Sequence, residues 1–597
     1  MDISEQTRCS VESYGNQGDK CFEVVNLDYE ATLTVGRGKV SSPLDVVEGM
    51  DIDVTAIKDE WVNRNGLGEV VKKYVYSTLD ENLEGKSVQG ASVFFVEKPK
   101  FRLPALFCKL LLLDIFVNRC PRSSSGKPIF LEVQPPEFST PHVPSKTSSG
   151  FLPNERRALT ESKGKTWFRC QSKLLGVYDL LRRGKMLFAP VLPYKSAIKA
   201  EVRKVDKKNR FIQVGSFFWH LFAINTIIPA FCSVRSFYHG NAIGIGFKGG
   251  GILRVFYFFA LRLALLFDWS IGLAWDRLLA MNFLEADKKE WEGRTTRESG
   301  FFLLYHWCGL VKTDLPSADR QGFLRLTASY WADYIRPYIT LGGSYFATRE
   351  GATPSGNTLT ADGNTWRHRY SQLAFYIAIK YHGFKKFNKG CPCGICGFLN
   401  DEEWIGQHCD RDELDVAMAA MMMSDDHISI STTLDECYVW FSDNILSFRT
   451  EYEVNRPTDT GGPLFLQQFV TSSGGVGRAT ERAVNKIYHG SDNAIVCLSS
   501  CVAMAYLSGS NTELYDLACD LARDIVDKLG TGEDMRDMVA LIIRDKHGIE
   551  VVVGSDYLPT REEVRQYNDL NAREKRLLVN VMQAGIVNGK SALFEYE

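Results

Sequence analysis

The chain has 597 residues, 45% of them hydrophobic and 24% charged, which suits a globular protein with room for several cores and excludes a fibre or a disordered tail. A formal net charge of −2 excludes a global basic field, so any surface for a polyanion must be local. Fifteen cysteines, an odd and scattered set, fit reduced thiols better than a disulfide framework.

The first residues, MDISEQTRCSVE, lack the basic start and apolar core of a secretory signal. Residues 1–100 mix polar loops with short apolar runs and carry no motif. Residues 101–117 read as a buried helix, and 134–155 as a loop rich in Pro, Ser and Gly. Residues 195–212 read as two strands flanking a basic turn. Two apolar stretches, 214–234 and 252–273, are interrupted by polar or charged residues such as His220, Asn225, Arg254 and Arg262, and read as buried core, not membrane spans. The run 300–314 is expected to end in an apolar strand with Asp314 at its tip. A helix is expected from Ser355–Gly356 to about Tyr376. DVAMAAMMM, SDD and HISIS then read as strand, tight turn and strand. PLFLQQFV at 463–470 is a short strand candidate, and the chain beyond 475 reads as mostly helical.

The chemistry-bearing residues form a constellation. Nucleotidyl transfer needs an activated hydroxyl, an aligned triphosphate and neutralised pyrophosphate charge, which two divalent metals supply. Hard cations such as Mg²⁺ or Mn²⁺ take oxygen ligands, so separated carboxylates must meet on one surface. Asp314 and the pair Asp425–Asp426 are the candidates. Ser355 suits the N-cap of the following helix, and Thr360 and Asn364, four apart, share one face of it. Lys199, Glu201, Arg203, Lys207, Lys208 and Arg210 form the main basic patch, either a solvated hairpin face or a groove for phosphates.

Five motifs in one order, TSSGF at 147–151, KAEVRKVDKKNRFI at 199–212, TDLPSAD at 313–319, PSGNTLTADGN at 354–364 and MMMSDDHISI at 421–430, together resemble the viral RNA-dependent RNA polymerases of the picornavirus-like and double-stranded-RNA-virus-like supergroup. The resemblance covers about 140–470. It implies an α+β right hand: an N-terminal extension and fingers in 1–130, fingers with template and nucleotide-entry motifs in 131–300, a palm in 301–470 and a helical thumb in 471–597. It implies Asp314, Asp425 and Asp426 as metal ligands, and Asp319 with Asn364 as readers of the ribose 2′-hydroxyl. Ser355, Gly356 and Thr360 would position template and nucleotide. Lys199, Arg203, Lys208 and Arg210 would hold the triphosphate, and Thr147, Ser149 and Gly150 would line the template channel. RNA template, RNA product and nucleoside triphosphates would be the partners, with capsid or other replicase proteins as further ones, in the host cytoplasm, a virion or a replication complex.

Some features depart from the family. S-D-D replaces the commoner G-D-D. No Lys occurs between Lys389 and Lys486, where the family carries a leaving-group acid, and Arg449, Arg456 or His427 are the available substitutes. Arg is a poor proton donor. Gln467 and Gln468 replace basic residues of the primer-grip hairpin. Cys391, Cys393 and Cys396, with His408 or Cys409, read either as free thiols or as a structural zinc site. Three alternatives stand beside RNA synthesis: a reverse transcriptase, which usually carries an aromatic residue at the place of Asp319, an RNA-binding scaffold without catalysis, and, on the cysteine cluster alone, a cytosolic zinc-dependent structural protein.

Overall fold

The structure, a computed structural model, describes residues 53–76, 92–94, 105–120, 161–183, 192–199, 201–207, 210–245, 251–312, 317–341, 344–348, 350–381, 411–530 and 532–588, short pieces at 24–26, 34–36 and 131–132, and the single residues 103, 150 and 185. It is an α+β architecture, with many helices around small sheets that are mostly antiparallel.

In chain order, helix α1 (Thr55–Arg64) leads to strand β1 (Tyr74–Tyr76). The basic segment forms β2 (Lys195–Lys199), β3 (Val202–Lys204) and β4 (Phe211–Val214). β2 pairs antiparallel with β4, while β3 leaves that pair and takes β1 as its antiparallel partner. Next come β5 (Phe283–Lys288), helix α2 (Arg297–Leu310) and helix α3 (Thr360–Tyr381). The S-D-D hairpin is β6 (Ala420–Met423) and β7 (Asp426–Ile430), followed by α4 (Asp435–Asn444) and β8 (Thr450–Asn455). The C-terminal helices include α5 (Thr480–Tyr488), α6 (Ala494–Ser508) and α7 (Thr512–Leu529).

The central sheet has the order β6-β7-β5-β8, every pair antiparallel. Side chains alternate across a strand, so Phe283, Glu285 and Asp287 share one face of β5, and Leu284, Ala286 and Lys288 the other. Phe283 packs with the Gly251–Phe267 helix in one hydrophobic cluster. Leu284 packs with α3 residues such as Leu373 and Phe375 in another. The two glutamate and aspartate side chains remain half-buried.

Several expectations change. The run after Arg297 is helix α2, with Thr296 Oγ1 accepting from Ser299 N–H at 3.3 Å as its N-cap. Its fourteen residues are too long for a strand. Only Val311–Lys312 is extended, and it pairs in parallel with Leu131–Glu132 in a separate two-stranded sheet. Thus β5, from the 131–300 segment, supplies the sheet strand expected just before Asp314. Residues Arg411–Ala417 are helical before β6 starts, and only Gln468–Val470 of PLFLQQFV is strand. Leu466 and Gln467 have positive φ, which breaks the strand there. The stretches 214–234 and 252–273 are built on buried helices, and no described helix is long and apolar enough to cross a membrane.

A third cluster crosses the length of the chain. Val54, Trp61, Val62, Leu67 and Val71 pack into the core of α5, α6 and α7. Lys58 Nζ donates to the carbonyls of Tyr488 and Ser491 and pairs with Asp492 at 2.8 Å. Arg64 bridges Asp520 and Asp524 of α7. Ten residues beyond α1, β1 joins β3, so this segment ties the C-terminal helices to the basic strands.

Candidate active site

β6 and β7 are joined by a two-residue turn, with Met423 opposite Asp426. Ser424 sits at φ +62°, a conformation that favours glycine at the first turn position. Placing Ser there costs on the order of 1 kcal/mol. Helix α3 offsets it by bracketing the turn: Thr365 Oγ1 accepts from Ser424 N–H at 2.9 Å, and His368 Nδ1 lies 3.1 Å from the Ser424 carbonyl oxygen.

On the neighbouring strand, Asp426 stands in register with Asp287 of β5, and Asp287 with Glu451 of β8. The carboxylate brought to the S-D-D turn is therefore Asp287. Asp314 and the Asp319 side chain lie outside the described residues, and the strand that precedes Asp314 belongs to a different sheet. Glu292 lies five residues beyond Asp287, the spacing expected between Asp314 and Asp319. Sequence reading passed over both; their signal is the alternation F-L-E-A-D-K ahead of an acid.

The carboxylates feel one another. Burial raises Asp425, and repulsion from Asp287 adds to it. Burial pushes Asp426 up to about 7, with Asp425 and Asp287 raising it further and Arg482 and Arg210 pulling it down. Glu292 is likewise lifted to about 7 by burial, opposed by Arg210 and Lys199 and reinforced by Asp425. Asp287, Asp425 and Asp426 share a cleft of ≈ 610 Å³ with residues of the basic strands. Its acidic wall includes Glu285, Asp287, Asp425, Asp426, Glu451 and Glu453; its basic wall includes Lys204, Lys207, Arg210 and Arg482.

Among the residues of the basic strands the roles divide. Lys199 pairs with Glu201 at 2.9 Å, and Arg210 lies 3.8 Å from the same carboxylate. Arg203 is buried and donates to the carbonyls of Lys204 and Lys207, bracing the turn after β3. Lys208 lies outside the described residues.

The Ser355–Gly356 loop docks on β4. Ser355 Oγ donates to Gln213 Oε1 at 3.0 Å, and Gly356 bridges Val214 so closely that a Cβ would meet Gln213 O at 1.8 Å. Gly150, at φ +62°, sits against Gly215 at the same strand end, while Thr147 and Ser149 lie outside the described residues. Thr360 Oγ1 bonds the carbonyls of Pro354 and Asn357, closing the loop onto α3. Asn364, one turn on, is buried with its Oδ1 lacking a partner.

The oxygen-only donor set suits Mg²⁺ or Mn²⁺. Among the described residues, however, no three His, Cys, Asp or Glu side chains converge to hold a metal ion by themselves. Mg²⁺ commonly takes one or two carboxylates and completes its shell with water and substrate phosphates, so an open set fits that cation and not a caged one. Cys391, Cys393, Cys396, His408 and Cys409 all lie outside the described residues.

No protein-family model matches this chain, and no curated protein matches it. Among solved structures it is similar to a Sicinivirus 3Dpol RNA dependent RNA polymerase, at 13% identity over 79% of this chain and 93% of that one, with a TM-score of 0.48. So remote a likeness decides nothing about chemistry.

Proposed function

We propose that the chain is a template-directed RNA polymerase of right-hand form. The central sheet would serve as palm, the basic strands β2–β4 as part of the fingers, and α5–α7 as thumb. The observation that carries this reading is the register of Asp287 with Asp426: two strands from distant parts of the chain present carboxylates to one polar cleft.

Asp287, Asp425 and Asp426 would hold two Mg²⁺ or Mn²⁺ ions, which when bound polarise the attacking hydroxyl and neutralise charge on the triphosphate. Arg210, Lys204, Lys207 and Arg482 face those carboxylates and attract the triphosphate electrostatically. Glu292, half-buried beside Asp425, takes the place first read at Asp319 as acceptor for a ribose hydroxyl. An acid there, where a reverse transcriptase carries an aromatic residue, favours ribonucleotides. Ser355 and Gly356, pinned to Gln213, hold the loop over which template and nucleotide meet. Activity of this kind belongs in the host cytoplasm, a virion or a replication complex, with capsid or replicase proteins as candidate partners.

The test is ribonucleotide incorporation on single-stranded RNA with Mg²⁺ or Mn²⁺. Asp287→Asn and Asp426→Asn are each expected to lower the rate by about 10³, the value of several kcal/mol of charge stabilisation. Asp314→Asn is expected to stay within about threefold of the parent, as for a residue away from the reacting atoms. Loss in Asp314→Asn with activity kept in Asp287→Asn would restore the first assignment. RNA bound without incorporation by the parent chain would favour the scaffold.

A further inference from the structure

Asp287 already has a cation. Lys289 Nζ lies 2.7 Å from Asp287 Oδ2 and 2.8 Å from Glu451 Oε2. The register explains the geometry, because Asp287 and Glu451 are cross-strand partners on β5 and β8, and one ammonium reaches both. The lysine is the most enclosed of the three side chains, 29% exposed against 41% for Asp287 and 60% for Glu451. Its backbone is fixed as well, with Lys289 N–H donating to Arg449 O at 2.8 Å. The next residue back, Lys288, points to the opposite face and donates to Ser442 Oγ and Thr450 Oγ1, so the two lysines do different things.

Building on the metal site proposed above, we infer that Lys289 is a built-in counter-cation, which holds the Asp287 carboxylate until a divalent ion displaces it. It neutralises one acid of a group whose other members repel one another, so the palm face is stable without metal. It also occupies an oxygen that the metal needs, in keeping with the open carboxylate set. Glu451 gives the displaced ammonium a second partner, so the exchange leaves Lys289 paired. Metal affinity is thereby lowered, and binding carries a defined side-chain movement.

The experiment is direct Mn²⁺ binding to the full chain without nucleotide, by electron paramagnetic resonance of free Mn²⁺ and by calorimetry. Lys289→Gln and Lys289→Met are each expected to tighten binding about two- to fivefold, the range of an exposed ion pair removed from competition. Lys289→Arg should stay near the parent, and Glu451→Gln should weaken binding, because the ammonium then has only Asp287. Lys207→Gln removes a cleft cation without touching Asp287; equal tightening there would mean general electrostatics and would overturn the clamp. Equal Mn²⁺ affinity in parent and Lys289→Gln would overturn the clamp and leave the metal site standing. No Mn²⁺ bound by any of these chains would overturn both. Circular dichroism melts without metal establish that each variant is folded.

Discussion

Trp61 offers the sharpest test of how the N-terminal segment is used. Its side chain is fully buried among Val54, Val62 and Leu67 and the helices α6 and α7, and its indole N–H donates to Leu517 O at 3.1 Å. Replacing a buried Trp by Ala costs about 3–5 kcal/mol, and the orphaned carbonyl adds to it. About 4 kcal/mol is a large part of a typical domain stability of roughly 5–15 kcal/mol. At 1.36 kcal/mol per factor of ten, amide protection in the cores of α6 and α7 should fall by about 10³ in Trp61→Ala. Hydrogen exchange resolved by fragment reads this directly. Phe168→Ala, at a side chain 93% exposed, serves as the control and should leave exchange unchanged. Protection in α6 and α7 falling less than tenfold, with faster exchange only in α1, would refute the shared core: α1 would then lie on α6 and α7 without stabilising them.

Two further outcomes are expected. Glu292→Gln keeps the side chain's size and removes its charge, so the kcat/KM preference for a ribonucleoside triphosphate over its 2′-deoxy form should fall by about 10- to 100-fold, in line with losing one matched polar partner; an unchanged ratio would remove Glu292 from ribose recognition. Asp333 is pushed up to about 8 by burial, against a hydrogen bond from Tyr194. The folded state then keeps a proton that the unfolded chain releases above about pH 4, so stability declines as pH rises from about 4 through 8. Asp333→Asn should flatten that decline in urea midpoints measured from pH 5 to 8, and an identical slope in the two proteins would mean that Asp333 titrates as an ordinary carboxylate.

Much of the architecture was legible from local pattern. The S-D-D hairpin was found because apolar residues flank a two-residue turn, and β6 and β7 do pair across it. The helix after Ser355–Gly356 is legible from spacing, but it starts at Thr360 and runs a turn beyond the expected end; Ser355, expected as its N-cap, bonds Gln213 instead. The packing of Trp61 on α7 was not legible, since the contact spans more than 450 residues and α1 carries no motif. Nor was the burial of Arg203, which reads as a phosphate ligand in a basic run but spends its guanidinium on the carbonyls of its own turn.

The choice between Asp287 and Asp314 has a specific basis in the sequence. An Asp followed five residues later by an acid occurs at Asp287–Glu292 and again at Asp314–Asp319, and motif order alone cannot separate them, since both precede Ser355. Secondary-structure period can. Before Asp314 the apolar residues from Phe301 to Leu310 fall within the fourteen residues of α2, too long for a strand, and a segment of that length with a Thr cap is a helix. Before Asp287 the strand is six residues long, and it alternates Phe283, Glu285 and Asp287 with Leu284, Ala286 and Lys288. Only a strand with both faces specified can pack Leu284 beneath the sheet while presenting Asp287 above it, so the carboxylate in register with Asp426 comes from an alternating segment. The same alternation sends Lys288 into the core and returns Lys289, just past the strand's end, to the carboxylates of Asp287 and Glu451. The cation on Asp287 thus follows from the same period-two pattern that identifies the aspartate.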